Sequence, residues 1–518
     1  MKKLLGIFFL LPLFFFSTCA GDSADGEVIR ILLNGNKPAD FDSVYDDYLR
    51  RTGDTLNIRL DITFVDPGDY RERLVSELSS RRPAYDLVFD APRFMLVELA
   101  GRGLYADLRD EIDFIKFPNI LKAHSPNVLE SNLINGHMYH IPLFRGYGSG
   151  IPVIFYRQDW ADAWGIGTIS NLEMLERYWE LAGDRDILPI FLHHERGFGD
   201  FLTYAGHHTA AVRAGIRGFS IAGHLIMVHV QDNTIAEIAP AGSGDEAFAA
   251  FPPPFNRDFA MDRFEQFAQW RRRGFLDDPS PEESGRFFNE GRSASLIGTL
   301  GDAVNLRQTM IDPDAAVGYF IYDNDIRNFR SAAMPNCLIM NNGLAIPAGS
   351  DRKQDTIRFL DWLFSDAENH NLFELGIEGI HYSFNPDGTF HAITDYPNRW
   401  PGNSLTWNNF YTVLSDQIRP EDRPWYEYEM QESSILWLPV PGFLFDTRDP
   451  FVAAGIANLD SASHRVLLNL RHGLMHDGNR SYTSAAQMMQ ANMDMFHAAG
   501  LDQLQGELER QLIIHLRH

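Results

Sequence analysis

Apolar residues alternate through Leu56, Ile58, Leu60, Ile62 and Phe64, the period of two that predicts a half-buried strand. Upstream, Val28 to Leu33 forms a second apolar run, ended by Asn34-Gly35-Asn36. Between the two, Phe41, Val44, Tyr45, Tyr48 and Leu49 recur at i, i+3, i+4, i+7 and i+8. That spacing predicts one helical face, with Asp40 placed to cap it and Gly53 to stop it. A second helix is expected from about Asp69 to Ser80, with Tyr70, Leu74 and Leu78 on one side and Arg82-Pro83 at its end. Leu87-Val88-Phe89 is a short apolar strand closed by Asp90-Ala91-Pro92. The first hundred residues therefore run β-α-β-α-β-α, an order that predicts a parallel sheet with helices on both faces. Ligands of such sheets sit beyond the carboxyl ends of the strands, which marks the loops 34–36 and 90–93 by topology alone.

Further along, Asn135-Gly136-His137-Met138-Tyr139-His140-Ile141-Pro142 has the pattern of a hairpin leading into an extended strand. Ile151 to Tyr156 is a strand, and Arg157-Gln158-Asp159-Trp160 opens a helix ending at Gly165. Cys337 to Ile346 is strand-like, Pro347-Ala348-Gly349-Ser350 is a turn, and Ile357 to Phe364 is apolar on most sides, as a buried helix is. Asp366 is placed to cap a further helix ending at Gly376. Breaks rich in Pro and Gly fall near 240–257 and 397–403, and no internal repeat, heptad pattern or low-complexity tract is present.

The N-terminus sets the compartment. Lys2 and Lys3 precede an apolar run from Leu4 to Phe16. At ~1.5 Å per residue this run reaches about 20 Å, short of the ~30 Å hydrocarbon core of a bilayer. It has the length of a signal peptide, covering 1–18. Phe16-Ser17-Thr18-Cys19-Ala20-Gly21 resembles a lipobox, with Phe16 and Thr18 departing from its usual residues. Cys19 is accordingly the expected lipidation site, and 19–27 a small, polar tether between lipid and body. Exported, membrane-anchored and extracytoplasmic is the implied location. Cys337 is the other cysteine, so acylation of Cys19 leaves no disulfide; a body of this size buries a sufficient core without one.

A net charge of −25 argues against nucleic acid and anionic lipid headgroups as partners. It does not restrict a neutral ligand. His193, His194, His207 and His208 form two pairs, but no His-Glu-x-x-His spacing or cysteine ligand accompanies them, so no metal is expected. Ser220 in Gly218-Phe219-Ser220-Ile221-Ala222 is one residue short of a nucleophile elbow. The 70 carboxylates are too many to single out a catalytic pair. No cofactor is implied.

Several segments, in order, resemble the extracellular solute-binding proteins (family 1) of ATP-driven bacterial importers, in particular their large carbohydrate-binding lipoprotein subgroup. They are Tyr85-Asp86-Leu87-Val88-Phe89, Gly103-Leu104-Tyr105-Ala106-Asp107-Leu108, the segment 135–142, and Tyr156-Arg157-Gln158-Asp159-Trp160. Further matches are Phe288-Asn289-Glu290-Gly291-Arg292-Ser293-Ala294, Phe359 to Phe364 followed by Gly376-Ile377-Glu378-Gly379-Ile380-His381-Tyr382, and Ala499-Gly500-Leu501-Asp502. The resemblance implies an α/β, periplasmic-binding-protein-like type II fold: two α/β lobes around a ligand cleft, with three crossovers. The crossovers are expected near Gly148, Gly298 and Pro347, giving a first lobe of 28–148 plus 299–346 and a second of 149–298 plus 347–518. It also implies a monomeric, non-enzymatic protein that captures a carbohydrate, in the first place an oligosaccharide, for ABC transporter permease subunits. A secreted hydrolase acting on glycans, or a surface sensor or adhesin on the same scaffold, are the other readings.

Carbohydrates offer apolar C–H faces to aromatic rings and hydroxyls to carboxylates, amides and guanidinium groups. The candidate ligand contacts are Asn36, Asp90 and Arg93 after strand ends of the first lobe, and Arg145 and Tyr147 at the first crossover. Glu195 and Phe198 follow the strand Ile187 to Leu192, in the position that supplies cleft contacts in the sugar binders this chain resembles. Thr299 and Asp302 follow the second crossover, and His381 and Trp407 complete the set. Each has a plainer role open to it: a helix cap for Asn36 and Asp90, a solvated charge for Arg93, an interlobe ion pair for Arg145, core packing for Trp407.

Overall fold

The computed structural model describes residues 27–517 except 54, 81, 147–149, 193–206, 277–283, 337–341, 394–398, 401–404 and 478–479. In chain order, the first four strands are β1 (Glu27–Asn34), β2 (Ile58–Val65), β3 (Leu87–Asp90) and β4 (Ile141–Leu143). Then come β5 (Pro152–Arg157), β6 (Leu188–Ile190), β7 (Ile216–Ile221), β8 (His224–Gln231) and β9 (Thr234–Pro240). They are followed by β10 (Ser293–Thr299), β11 (Val317–Ile321), β12 (Met334–Asn336) and β13 (Asn342–Ala345).

Among the described residues the first sheet has the order β2-β1-β3-β13-β4. β1 runs parallel to β2 and β3, as the alternating β-α-β pattern requires, and β13 enters antiparallel between β3 and β4. Ile29, Ile31, Leu32 and Leu33 are fully buried, which fits a strand covered on both faces. The helices Phe41–Thr52 and Pro67–Leu78 supply Val44, Tyr48, Tyr70 and Leu74 to that core. Pro67 opens the second of these behind Asp66, whose side chain accepts from the Gly68 amide at 2.9 Å. Asp40 makes no such cap; its carboxylate is taken by His381 and Arg399 instead.

The second sheet has the order β11-β5-β10-β6. Its core holds Tyr178, Trp179, Trp270 and Phe275, all within 2% of full burial. The three-stranded antiparallel sheet β7-β8-β9 is appended to it and packs on the C-terminal helices Pro450–Arg471, Ala485–Ala498 and Leu501–His515. Among the described residues no helix is long and apolar enough to cross a membrane.

The division of the chain between the lobes differs from the sequence expectation in two places. β11 pairs with β5, so 299–321 belongs with the second sheet rather than the first. The helices Lys353–Leu363 and Ala367–Glu374, with Trp400, Leu405 and Tyr411, pack into the first core rather than the second. The chain thus passes between sheets from β4 to β5, from β12 to β13, and again between Tyr411 and Trp425, which packs with the second lobe. Gly298 is no crossover. It lies inside β10 opposite Val153, and a Cβ there would stand 2.9 Å from the Phe155 ring, so close packing accounts for this glycine. Pro347 bridges to Tyr105 within the first lobe, and Gly148 lies outside the described residues. Amphipathic pattern identifies a strand but carries no information on which sheet, a hundred residues away, will accept it.

A candidate ligand cleft between the lobes

The loop after β3 is built by a buried acid. Asp90 is fully buried, accepts from the Tyr105 hydroxyl at 2.6 Å and from the amides of Ala91 (2.7 Å) and Met95 (3.2 Å). Burial pushes its carboxyl up to about 6 against these donors. Asp90 therefore shapes the loop and has no surface to offer a ligand, contrary to the sequence expectation. What the loop presents is Arg93, exposed, its guanidinium 4.7 Å from the Phe94 ring and donating to Asn342 Oδ1 at 2.7 Å.

Facing this loop is the segment 444–448, which leads into the C-terminal helices of the second lobe. Arg448 is held by Asp446 at 2.6 Å and donates to the Gly101 carbonyl at 2.6 Å, crossing to the first lobe. Between the two sides lies a groove of about 690 Å³, lined by Arg71, Arg93, Phe94, Arg102 and Arg448 among others. A second hollow of about 930 Å³ continues past Arg109, Leu133 and Pro441. Asn135, Leu444 and Asp446 line both, so the two hollows adjoin.

The connections between the lobes are tied by polar contacts. Arg145 donates to Glu374 Oε1 at 2.7 Å and lies 6.0 Å from the Trp407 ring. Both partners of this pair belong to the first lobe, so it is not an interlobe bridge. The Gly146 amide donates to Asn409 Oδ1 at 2.9 Å, and Asn409 in turn donates to the Met430 carbonyl at 2.6 Å. Glu429 ends the helix Arg423–Glu429. It sits against Gly146, where a Cβ would be 2.8 Å from its Cγ, and accepts from the Gly150 backbone. Burial pushes the Glu429 carboxyl up to about 7.

That shift gives a prediction. The fold favours protonated Glu429, so the unfolded chain ionises first as pH rises from about 4.5, and stability falls until the folded group also ionises near 7. Glu429→Gln removes this slope. Urea titrations at pH 5 and pH 8 are expected to show the variant more stable than the parent by about 3 kcal/mol at pH 8 and by under about 1 kcal/mol at pH 5.

The remaining sequence candidates separate clearly. Asn36 is exposed at the carboxyl end of β1 and Trp407 is half-buried against the first core. Thr299 and Asp302 satisfy each other, with the Thr299 amide and hydroxyl donating to Asp302 Oδ2 at 2.8 and 2.9 Å. His381 is buried, its Nδ1 accepting from the Ile377 amide and its Nε2 facing Asp40 at 3.0 Å; it fastens the chain and offers nothing to a ligand. Tyr147, Glu195, Phe198, Cys19, Cys337 and the pair His193-His194 lie outside the described residues. Among the described residues no cluster of His, Cys, Asp or Glu is arranged to hold a metal ion. Arg71, Phe94, Arg448 and Glu429 were not singled out from sequence; Phe94 directly follows the marked loop 90–93.

No family model matches the chain. It is 30% identical over 124 residues to a carbohydrate ABC transporter substrate-binding protein of Streptococcus pneumoniae, a match covering 24% of each chain. It is 22% identical over 364 residues to the polygalacturonan/rhamnogalacturonan-binding protein YtcQ of Bacillus subtilis, covering 66% of this chain and 65% of that one. The chain thus matches about a quarter of the length of the first relative and just under two thirds of the second. Among solved structures, the N-glycan transport solute-binding protein NgtS of Streptococcus pneumoniae aligns over 95% of this chain and 99% of its own, with TM-score 0.70 and 16% identity. Its complex with Man5GlcNAc aligns with TM-score 0.57. An extracellular solute-binding protein of Bifidobacterium longum subsp. infantis aligns over 95% and 99%, with TM-score 0.60 and 13% identity. The fold is that of the two-lobe solute-binding proteins.

Proposed function

We propose that this chain is an extracytoplasmic solute-binding protein that holds an oligosaccharide between its lobes and delivers it to an ABC importer. The observation that carries this is the cleft: a groove far larger than one sugar ring, walled by the loop after β3 on one side and by 444–448 on the other. Single small-molecule sites occupy roughly 300–1,000 Å³, and the two hollows here are about 690 and 930 Å³. Contacts from both lobes let ligand favour a closed arrangement over an open one. The relatives named as carbohydrate and polygalacturonan binders, and the NgtS complexes with mannose-containing glycans, support the same class of ligand.

The charge of the groove narrows that class. In a chain of net charge −25, the walls of the 690 Å³ hollow carry Arg71, Arg93, Arg102 and Arg448 against Glu98 and Asp446. Arg448 is neutralised by Asp446, whereas Arg93 is held by an amide and Arg71 by the Met95 sulfur. This pattern suits uronate-bearing oligosaccharides, whose carboxylates take charge-assisted hydrogen bonds from guanidinium groups. Lipid attachment at Cys19 and the tether to residue 27 would keep such a binder beside its permeases, with two or more acyl chains sufficing for stable anchoring.

A glycan array probed with the soluble chain from Ala20 tests the reading. Retention of oligosaccharides, with uronate-containing ones weakened by added salt, is expected. Retention of peptides or amines alone would overturn it.

A further inference from the structure

The second lobe contains a cavity that shares no residue with the cleft. It lies between the sheet β7-β8-β9 and the start of the helix Phe259–Arg272, and measures about 180 Å³. Phe248, Phe251, Phe255 and Phe259 wall it, with Met227 of β8 at its base. Among the described residues, the cationic Arg263 in its wall makes no ion pair. Arg263 is half-buried, its Nε is buried with no acceptor, and among the described residues the nearby charge acting on it is Asp258.

Asp258 attracts it but makes no hydrogen bond or ion pair with it. Its carboxylate accepts from the amides of Gly242, Gly244 and Ala260 at 2.8, 2.9 and 3.0 Å. The neighbouring Arg257 is spent on Asp262, with which it forms an ion pair at the surface. His208, also in the wall, has its pKa pushed down to about 4 by burial and carries no charge at neutral pH. A guanidinium nitrogen buried without a partner is costly, and burial lowers the pKa of the group accordingly. The cavity offers what would relieve it: an apolar volume slightly larger than the ~150 Å³ that accepts benzene in an engineered protein core.

We propose that this cavity is a second binding site, for a small carboxylate on an apolar body of about the size of benzoate. The rings enclose the body, and Arg263 takes the carboxylate as its missing partner, in the paired N–H to O geometry that guanidinium and carboxylate share. The proposal is independent of what the cleft binds.

Calorimetry and thermal unfolding of the soluble chain with benzoate and with its neutral analogue benzamide test it. Benzoate is expected to bind and raise the unfolding temperature, and benzamide to bind about tenfold or more weakly, the loss of one charge-assisted pairing. Arg263→Met is expected to abolish that preference, and Ala211→Leu, which fills the cavity from its wall, to abolish binding of both. Absence of benzoate binding to the parent chain overturns the proposal, as does equal binding of benzoate and benzamide. The parent chain's contrast between the two ligands decides the matter even if a variant fails to fold.

Discussion

Trp179→Ala is expected to cost about 3–5 kcal/mol of folding stability, the range for removing a buried aromatic ring. Trp179 is fully buried, meets Trp270 edge-on at 5.3 Å and Phe275 at 5.5 Å, and donates its indole N–H to Ser295 Oγ at 2.9 Å. Truncation empties the centre of the second sheet's helical layer and removes a partner of Ser295 on β10. The first lobe's core contains none of these residues. Urea denaturation followed by circular dichroism is therefore expected to shift the second lobe's transition to lower urea and to separate it from that of the first. A cost under about 1 kcal/mol would contradict the packing described.

Gly442→Ala is expected to cost about 2 kcal/mol or more and to weaken glycan binding. Gly442 has φ +71°, the left-handed region, and a Cβ there would lie 2.7 Å from the Leu133 carbonyl oxygen of the first lobe. The Cβ is fixed to the backbone and the oxygen it meets is backbone, so relief requires the segment around Gly442, which lines the larger hollow, to move away from the first lobe. Gly136 provides the control. It lines the same cleft with φ +83°, yet nothing stands within 4 Å of its Cβ position. Gly136→Ala should show the backbone strain alone, about 1 kcal/mol, with glycan affinity unchanged. Denaturation and calorimetry on both variants check the contrast, and equal effects from the two would remove the argument for a close interlobe approach at Gly442.

The first hundred residues were legible because their signals are local. A period of two marked β2, bounded apolar runs marked β1 and β3, a period of 3.6 marked the helices Phe41–Thr52 and Pro67–Leu78, and chain order implied the parallel pairing. The return of β13 between β3 and β4, and of β11 onto β5, was not legible, since strands so distant in sequence choose partners through the assembled core. The same limit applies to the site. Arg93 stands exposed after the strand, a position that suits a ligand contact and a solvated charge alike. Asp90 was misread because a polar residue at a strand end can turn inward when Tyr105 and two amides await it. Arg448 and Asp446 carry no periodic or motif signal, and only the approach of the C-terminal segment to Gly101 brings them to the cleft.

The central claim, that an oligosaccharide is held between the lobes at the loop after β3, is tested most directly by calorimetric titration of the parent chain and of Arg93→Ala with an acidic oligosaccharide. One-to-one binding is expected, weakened about tenfold in the variant by the loss of a charge-assisted hydrogen bond, with the variant's stability unchanged because Arg93 is exposed. Binding of equal strength in the two proteins, or no binding of any oligosaccharide by the parent, would contradict it.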